Sequence, residues 1–179
     1  FLLARNSLAA IAGYVGFVQN GIVPVMIDAA LDAGLLTALR TAYRPSYAWI
    51  PAERAEEFQP SRTILRRDEY VLLDLAEKNP FSLHDDLALL MTTSGSTGSP
   101  KLVRQSYENL RANTESIVNY LDIHEDERGV TNLPLHYVYG LSVLNTHLAV
   151  GASVVVTEKT LFDRSFWQLM REKEVTNLS

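Results

Sequence analysis

Ten consecutive residues, Thr92-Thr93-Ser94-Gly95-Ser96-Thr97-Gly98-Ser99-Pro100-Lys101, carry the chemistry most legible in this chain, and eight of them are Thr, Ser or Gly. Small residues let backbone N–H groups close on an oxyanion, and the hydroxyls of Thr93, Ser94, Ser96 and Thr97 can donate as well. Lys101 adds a fixed positive charge. Together these fit a cradle for a polyphosphate. Two familiar nucleotide loops do not match: five residues after Gly95 stands Pro100 with no Gly-Lys-Ser/Thr, and the glycines do not follow Gly-x-Gly-x-x-Gly. A flexible Ser/Gly linker has the same composition. The apolar run Leu87–Met91 directly before the segment, and Pro100-Lys101 closing it, favour the cradle.

The other polar side chains read as structural. His84 and His124 sit beside acidic loop residues and are expected in solvent. His147 falls mid-helix and is expected to be packed or capped. Asp85 and Asp86 suggest a loop or a helix cap, since no partner acid stands at a defined spacing. On its own, His136 reads the same way. The chain has no cysteine, which excludes disulfide scaffolds, Cys-based zinc sites and thiol nucleophiles.

These residues need a scaffold, and the hydrophobic pattern supplies an alternating one. Phe1-Leu2-Leu3 reads as a strand. Leu8, Ile11, Ala12 and Val15 line one face of a helix from Ser7, its N-cap, to Asn20, with Gly21 as its stop. Ile22–Ile27 reads as a strand placed near a sheet edge because of Pro24. A helix over 29–43 and a strand over 47–50 follow, so residues 1–50 alternate in the way that builds a parallel sheet with helical crossovers. Residues 51–67 read as an irregular surface connection, 70–73 as a strand and 77–86 as a linker. After the Ser/Thr/Gly segment, Ser106 caps a helix to about Leu121. Val130–Leu133 reads as a strand, 139–150 as a helix stopped by Gly151, 154–156 as a strand and 162–171 as a helix. Val175–Ser179 closes the pattern as a further strand. The expected division is 1–80 and 81–179, two α/β segments of one domain.

The chain's 179 residues are 47% apolar and 21% charged, an ordinary globular mixture that excludes disordered and fibrous classes. Lys plus Arg number 16 against 21 Asp plus Glu, and a net charge of −5 argues against a nucleic-acid binder. The longest apolar stretch, Leu8–Val18, is broken by Gly and Tyr and is too short to span a bilayer. With no leader pattern and strand-like ends, the chain is expected to be an internal piece of a larger soluble, cytoplasmic protein.

The run Thr92–Lys101 closely resembles the phosphate-binding signature of the adenylate-forming (AMP-binding) enzymes, the superfamily of acyl-CoA synthetases, peptide-synthetase adenylation domains and luciferases. A second segment agrees in order and distance: Leu133-Pro134-Leu135-His136-Tyr137-Val138-Tyr139-Gly140-Leu141, then His147-Leu148-Ala149-Val150-Gly151-Ala152. It is similar to the family's strand, Leu-Pro turn and helix beside the acyl pocket. Residues 6–28 are similar to the family's first helix and strand. One departure stands out, since many relatives carry Phe-His where this chain has His136-Tyr137.

The resemblance implies an α/β fold of mostly parallel sheets with flanking helices, part of the large N-terminal domain of such an enzyme. It implies an ATP- and Mg²⁺-dependent ligase that makes an acyl-adenylate and passes it to the thiol of coenzyme A or of a carrier-protein phosphopantetheine. By the same resemblance Thr93, Ser94, Gly95, Ser96, Thr97, Gly98 and Lys101 would hold the ATP phosphates. His136, Tyr137, Tyr139 and Gly140 would lie at the acyl pocket. The main catalytic Lys would lie outside the chain, so these 179 residues alone would be inactive, and their uncovered edges would favour self-association. Two rivals stand beside this reading: a non-catalytic binding or scaffold module built on the same fold, and a phosphate-loop protein of another family, such as a kinase.

Overall fold

Residues 1–76, 80–92 and 101–178 are described by the computed structural model. The first fifty residues form the expected alternation: β1 (Leu2–Ala4), α1 (Leu8–Gln19), β2 (Val25–Asp28), α2 (Ala33–Tyr43) and β3 (Tyr47–Pro51). Both β2 and β3 pair with β1 in parallel, one on each side, so the crossover from β1 to β2 runs one way and that from β2 to β3 runs back across β1. This puts α1 on one face of the sheet and α2 on the other. Ala9, Ala10 and Tyr14 of α1 pack over Leu2, Met26 and Trp49, while Leu36 and Leu39 of α2 pack over Leu3, Ile27 and Ile50. A parallel strand covered on both faces has no room for alternation, which is why Leu2, Leu3 and Ala4 are all buried.

Local chemistry sets the helix ends. The Ser7 hydroxyl accepts the Ala10 N–H at 3.3 Å, the expected N-cap, and Gly21 follows the helix at φ +68°, open only to a residue without Cβ strain. The second helix begins later than the apolar pattern suggests, because the Asp32 carboxylate accepts the N–H groups of Gly34 and Leu35 and starts it there.

The chain then adds antiparallel strands. A 3-10 helix (Ala52–Phe58) leads to β4 (Arg62–Arg67) and β5 (Tyr70–Asp74), with β5 against β3 and β4 outermost. The expected irregular connection over 51–67 is therefore partly regular. Every residue of β4 is exposed, so no buried face imposes a period of two, and Arg62, Arg66 and Arg67 protect an open edge. On the far side, β6 (Leu87–Thr92) joins β2 in parallel and β7 (Leu102–Ser106) returns antiparallel to it, giving the order β4-β5-β3-β1-β2-β6-β7. Thus β2 is an interior strand, not the edge strand that Pro24 suggested. Pro24 lies just before the ladder, and its carbonyl accepts the Leu90 N–H at 2.9 Å.

The remaining chain runs α3 (Tyr107–Leu121), β8 (Arg128–Val130), α4 (Val138–Ala149), β9 (Ser153–Val155) and α5 (Arg164–Glu172). β8 and β9 form a separate two-stranded parallel sheet. α4 joins the two parts, since its Leu141 and Leu144 pack in the same core as α1 and β6. Residues 175–178 are not a strand: Thr176 N–H bonds Arg128 O, and the Thr176 hydroxyl bonds Glu127, without a ladder.

Tyr70 ties the centre of the sheet together. It is wholly buried, its hydroxyl donates to Leu3 O at 2.7 Å, and it accepts the Arg5 N–H at 3.2 Å. Burial pushes this hydroxyl up to about 12, so it stays a neutral donor. Tyr70→Phe leaves one acceptor and one donor buried and unpaired and should destabilise the protein by about 1–3 kcal/mol. At roughly 2–4 °C per kcal/mol, thermal unfolding followed by circular dichroism will register the loss.

Candidate active-site edge

The parallel strands all deliver their C-terminal ends to one edge of the sheet, where ligands of such sheets bind. Arg5-Asn6-Ser7 leave β1 there and Asp28 ends β2. Met26 opposes Met91, so Thr92 at the end of β6 reaches the same edge. Six of the residues assigned to the phosphate cradle, Thr93, Ser94, Gly95, Ser96, Thr97 and Gly98, lie outside the described residues. Lys101 is described: it is exposed and precedes β7, whose Leu102 pairs with Thr92.

The Leu-Pro segment comes to this edge from the second sheet. Leu135 is 2% exposed and anchors the turn among Leu2, Met26 and Leu89. His136 is half-buried, with Nε2 3.8 Å from the Asp28 carboxylate. The next residues start α4: Tyr137 N–H bonds Pro134 O, and Leu141 N–H bonds Tyr137 O, both at 3.0 Å. Gly140 is buried, and a Cβ there would overlap the carbonyl oxygens of Pro134 and Leu133, so only glycine lets the helix pack against the turn. The rings of Tyr137 and Tyr139 are about half exposed. A cavity of about 430 Å³ lies between α3 and α4, lined by Met91, Asn109, Asn113, Val138, Leu141 and Ser142, and neither tyrosine is part of its wall. The structure thus brings His136 to Asp28 but leaves Tyr137 and Tyr139 facing outward.

One residue at this edge escaped the motif reading. The Asn6 side chain donates through Nδ2 to Thr131 O at 2.6 Å and to Leu133 O at 3.1 Å, and its Oδ1 accepts the Leu135 N–H at 3.1 Å. All three partners lie more than 120 residues away, so no local spacing could mark it. The one available signal was an amide placed where an apolar strand ends and a helix cap begins.

The remaining histidines stand where the sequence predicts them. His84 and His124 are exposed beside Asp86 and Asp122, at 3.7 and 3.4 Å. His147 is 2% exposed, with Nδ1 2.8 Å from Val143 O and Nε2 beside the Asn177 amide. Among the described residues no three His, Asp or Glu side chains converge as a metal site.

A largely parallel sheet whose first two crossovers run in opposite directions, with helices on both faces and polar strand ends on one edge, defines the doubly wound class of α/β domains. Within that class, the family described as "AMP-binding enzyme" matches residues 1–179, and the chain belongs to it. A 2-succinylbenzoate–CoA ligase of Oceanobacillus iheyensis is 29% identical over 132 residues, which cover 70% of this chain and 27% of that protein. A peroxisomal OPC-8:0-CoA ligase of Arabidopsis thaliana is 38% identical over 77 residues, 42% of this chain and 14% of the relative. Among solved structures, o-succinylbenzoate CoA synthetase of Bacillus subtilis with its acyl-adenylate intermediate superposes with a TM-score of 0.77 at 21% identity, covering 99% of this chain and 47% of that one. ATP-bound MatB of Rhodopseudomonas palustris gives 0.79 at 22% identity, covering 99% and 37%. The chain therefore spans less than half the length of these proteins.

His136 supplies a test of the edge's electrostatics. Burial holds its pKa below the ordinary 6.5, and the Asp28 carboxylate works in the opposite direction. The unfolded chain therefore takes up a proton near pH 6.5 before the folded one does. Stability from this residue is complete above pH 6.5 and is lost as pH falls through the folded pKa. Denaturant unfolding between about pH 7.5 and 5.5, roughly one unit either side of an ordinary histidine, should show a shallower acid-side loss in His136→Asn than in the wild type. Equal slopes would mean that the imidazole is already solvated as in the unfolded chain.

Proposed function

We propose that this chain is the phosphate-handling and acyl-facing segment of an ATP-dependent, AMP-forming acid–thiol ligase. The observation that carries the reading is the family match over the whole chain, with the run Thr92–Lys101 beginning at the strand edge where Asp28 and Asn6 also end. In this reading residues 1–80 and 81–179 are two segments of one AMP-binding domain. The second segment's β6 and β7 continue the first segment's sheet, which suits a single domain.

In the first step, a carboxylate oxygen of the acid attacks the α-phosphate of ATP and pyrophosphate leaves. Negative charge grows on the departing phosphates, so donors fixed around them lower the barrier. Thr93, Ser94, Gly95, Ser96, Thr97 and Gly98 would supply backbone and hydroxyl donors, and Lys101 a cation. Mg²⁺ typically rides on nucleotide phosphates with one or two carboxylates rather than in an all-protein cage, and when bound it would neutralise part of the same charge. In the second step, a thiol takes the acyl group and AMP leaves. The relatives named as CoA ligases favour coenzyme A as acceptor, with a carrier-protein phosphopantetheine as the other possibility. Of the residues assigned to the acid, His136 would lie beside it, the exposed rings of Tyr137 and Tyr139 would reach an acid bound over that surface, and Gly140 would serve it by letting α4 pack on the turn. Tyr137 in place of the His common in relatives alters the polar group offered there. The substrate class is a small carboxylic acid, and 2-succinylbenzoate heads the panel to be tried. A reaction drawing on ATP and coenzyme A suits the cytoplasm. No helix among the described residues is long and apolar enough to cross a membrane. Self-association of the chain would have to use the other end of the sheet, β7, since Arg62, Arg66 and Arg67 disfavour strand pairing at β4.

The test is pyrophosphate release by the full-length protein with a panel of carboxylic acids, and release with at least one acid is expected. Release with none would favour the scaffold reading. A charge-assisted contact to phosphate contributes about 1.5–3 kcal/mol. Lys101→Ala should therefore raise the ATP requirement or slow adenylation by about 10- to 150-fold. Unchanged ATP kinetics would remove Lys101 from the cradle.

A further inference from the structure

We propose that Asn6 is a positioning residue for the acyl side of the site, setting the path of Thr131–Leu135 and through it the place of His136 and the start of α4; this rests on the ligase reading above. Three observations carry the inference. First, the Asn6 amide uses both its donor and acceptor ends on one short segment, Thr131 O, Leu133 O and Leu135 N–H, so it reads the direction of that backbone and not merely its proximity. Second, both partners of the clamp are anchored. Asn6 lies between buried β1 and Ser7, which caps α1. Thr131 is buried, its hydroxyl donates to Thr157 O at 3.1 Å and accepts the Thr157 N–H at 2.9 Å, so it is tied to the chain beyond β9. The end of the large sheet is thus bonded through one side chain to the edge of the small sheet. Third, beyond Thr131, whose N–H still bonds Val155 O at 3.0 Å, no strand pairing among the described residues holds the clamped segment, and Gly140 must pack directly on the carbonyls of Leu133 and Pro134. A shift of this backbone moves His136 relative to Asp28 and reorients the first turn of α4.

The phosphate side does not share this dependence. β6 and β7 are held by their own ladder, and among the described residues the Asn6 side chain bonds only to Thr131, Leu133 and Leu135, not to either strand. Loss of the clamp should therefore be felt by the acid and not by ATP.

The experiment uses the full-length protein with the best acid of the panel, comparing wild type with Asn6→Ala and Asn6→Asp. Asn6→Asp keeps the size and the acceptor for Leu135 N–H but turns a donor toward two carbonyls into a carboxylate oxygen. ATP–pyrophosphate exchange is measured against acid and against ATP, together with amide hydrogen exchange over 131–137. The proposal expects both variants to raise the acid concentration for half-maximal exchange about ten-fold or more while the ATP value stays within about two-fold. It also expects faster amide exchange confined to 131–137. Equal effects on acid and ATP, unchanged exchange at 131–137, or loss of the folded state in both variants would make Asn6 a general determinant of the fold and overturn the assignment. Should the wild type activate no acid, the ligase reading fails on its own account, and the amide rates of 131–137 still decide whether Asn6 holds that segment.

Discussion

Burial of β1 on both faces is the constraint from which the rest of the molecule follows. Leu2, Leu3 and Ala4 meet a helix-covered core above and below, so the strand can place polar groups only at its ends. At the C-terminal end, the Arg5 N–H is taken by Tyr70, the Arg5 guanidinium by Glu53, the Asn6 amide by the 131–135 backbone and the Ser7 hydroxyl by α1. The part-buried Arg5 N–H and Asn6 amide would otherwise be stranded beside an apolar layer, at a cost of about 1–3 kcal/mol apiece, whereas the exposed Arg5–Glu53 pair contributes little. Together these contacts gather a helix start, the turn carrying His136 and the 3-10 helix around one point.

That arrangement explains why chemistry-bearing residues so distant in sequence share an edge. Parallel strands joined by crossovers all point the same way, so Asn6, Asp28 and Thr92 need no special contact to become neighbours along the edge. The smaller sheet needs more. Its strands β8 and β9 do not pair with the large sheet, and it is held by α4, by Tyr14 donating to Asn145 at 3.0 Å, and by the Asn6 amide.

Much of this was legible in the residues themselves. Ser7, Gly21 and Gly151 marked helix ends because caps and left-handed stops depend on one residue's own chemistry. The buried strands at 1–4, 47–51 and 87–92 were visible as unbroken apolar runs. What stayed hidden shares one property: it depends on partners far along the chain. β4 carries no apolar period because it has no covered face, β7 is set by its pairing with β6, and Val175–Leu178 has strand-like composition but bonds irregularly to Glu127 and Arg128. Pro24 pointed to an edge strand, yet it sits one residue before β2 and costs the ladder nothing. At the candidate site, the Ser/Thr/Gly run and the Leu-Pro turn stand out by composition and resemblance, whereas Asn6 does not, because its hydrogen bonds lie entirely with residues 131–135.

The long reach of the Asn6 amide also bears on how the chain assembles during synthesis. A ribosome releases β1, β2 and β3 early, and their mutual pairing requires nothing made later. The nascent Asn6 side chain, however, must remain bonded to water until more than 120 further residues have emerged and Thr131, Leu133 and Leu135 can replace that water. Contacts of such separation close late and slowly. The layered sheet can therefore form first as a scaffold whose polar edge is still hydrated, and the edge dries only when the second sheet docks.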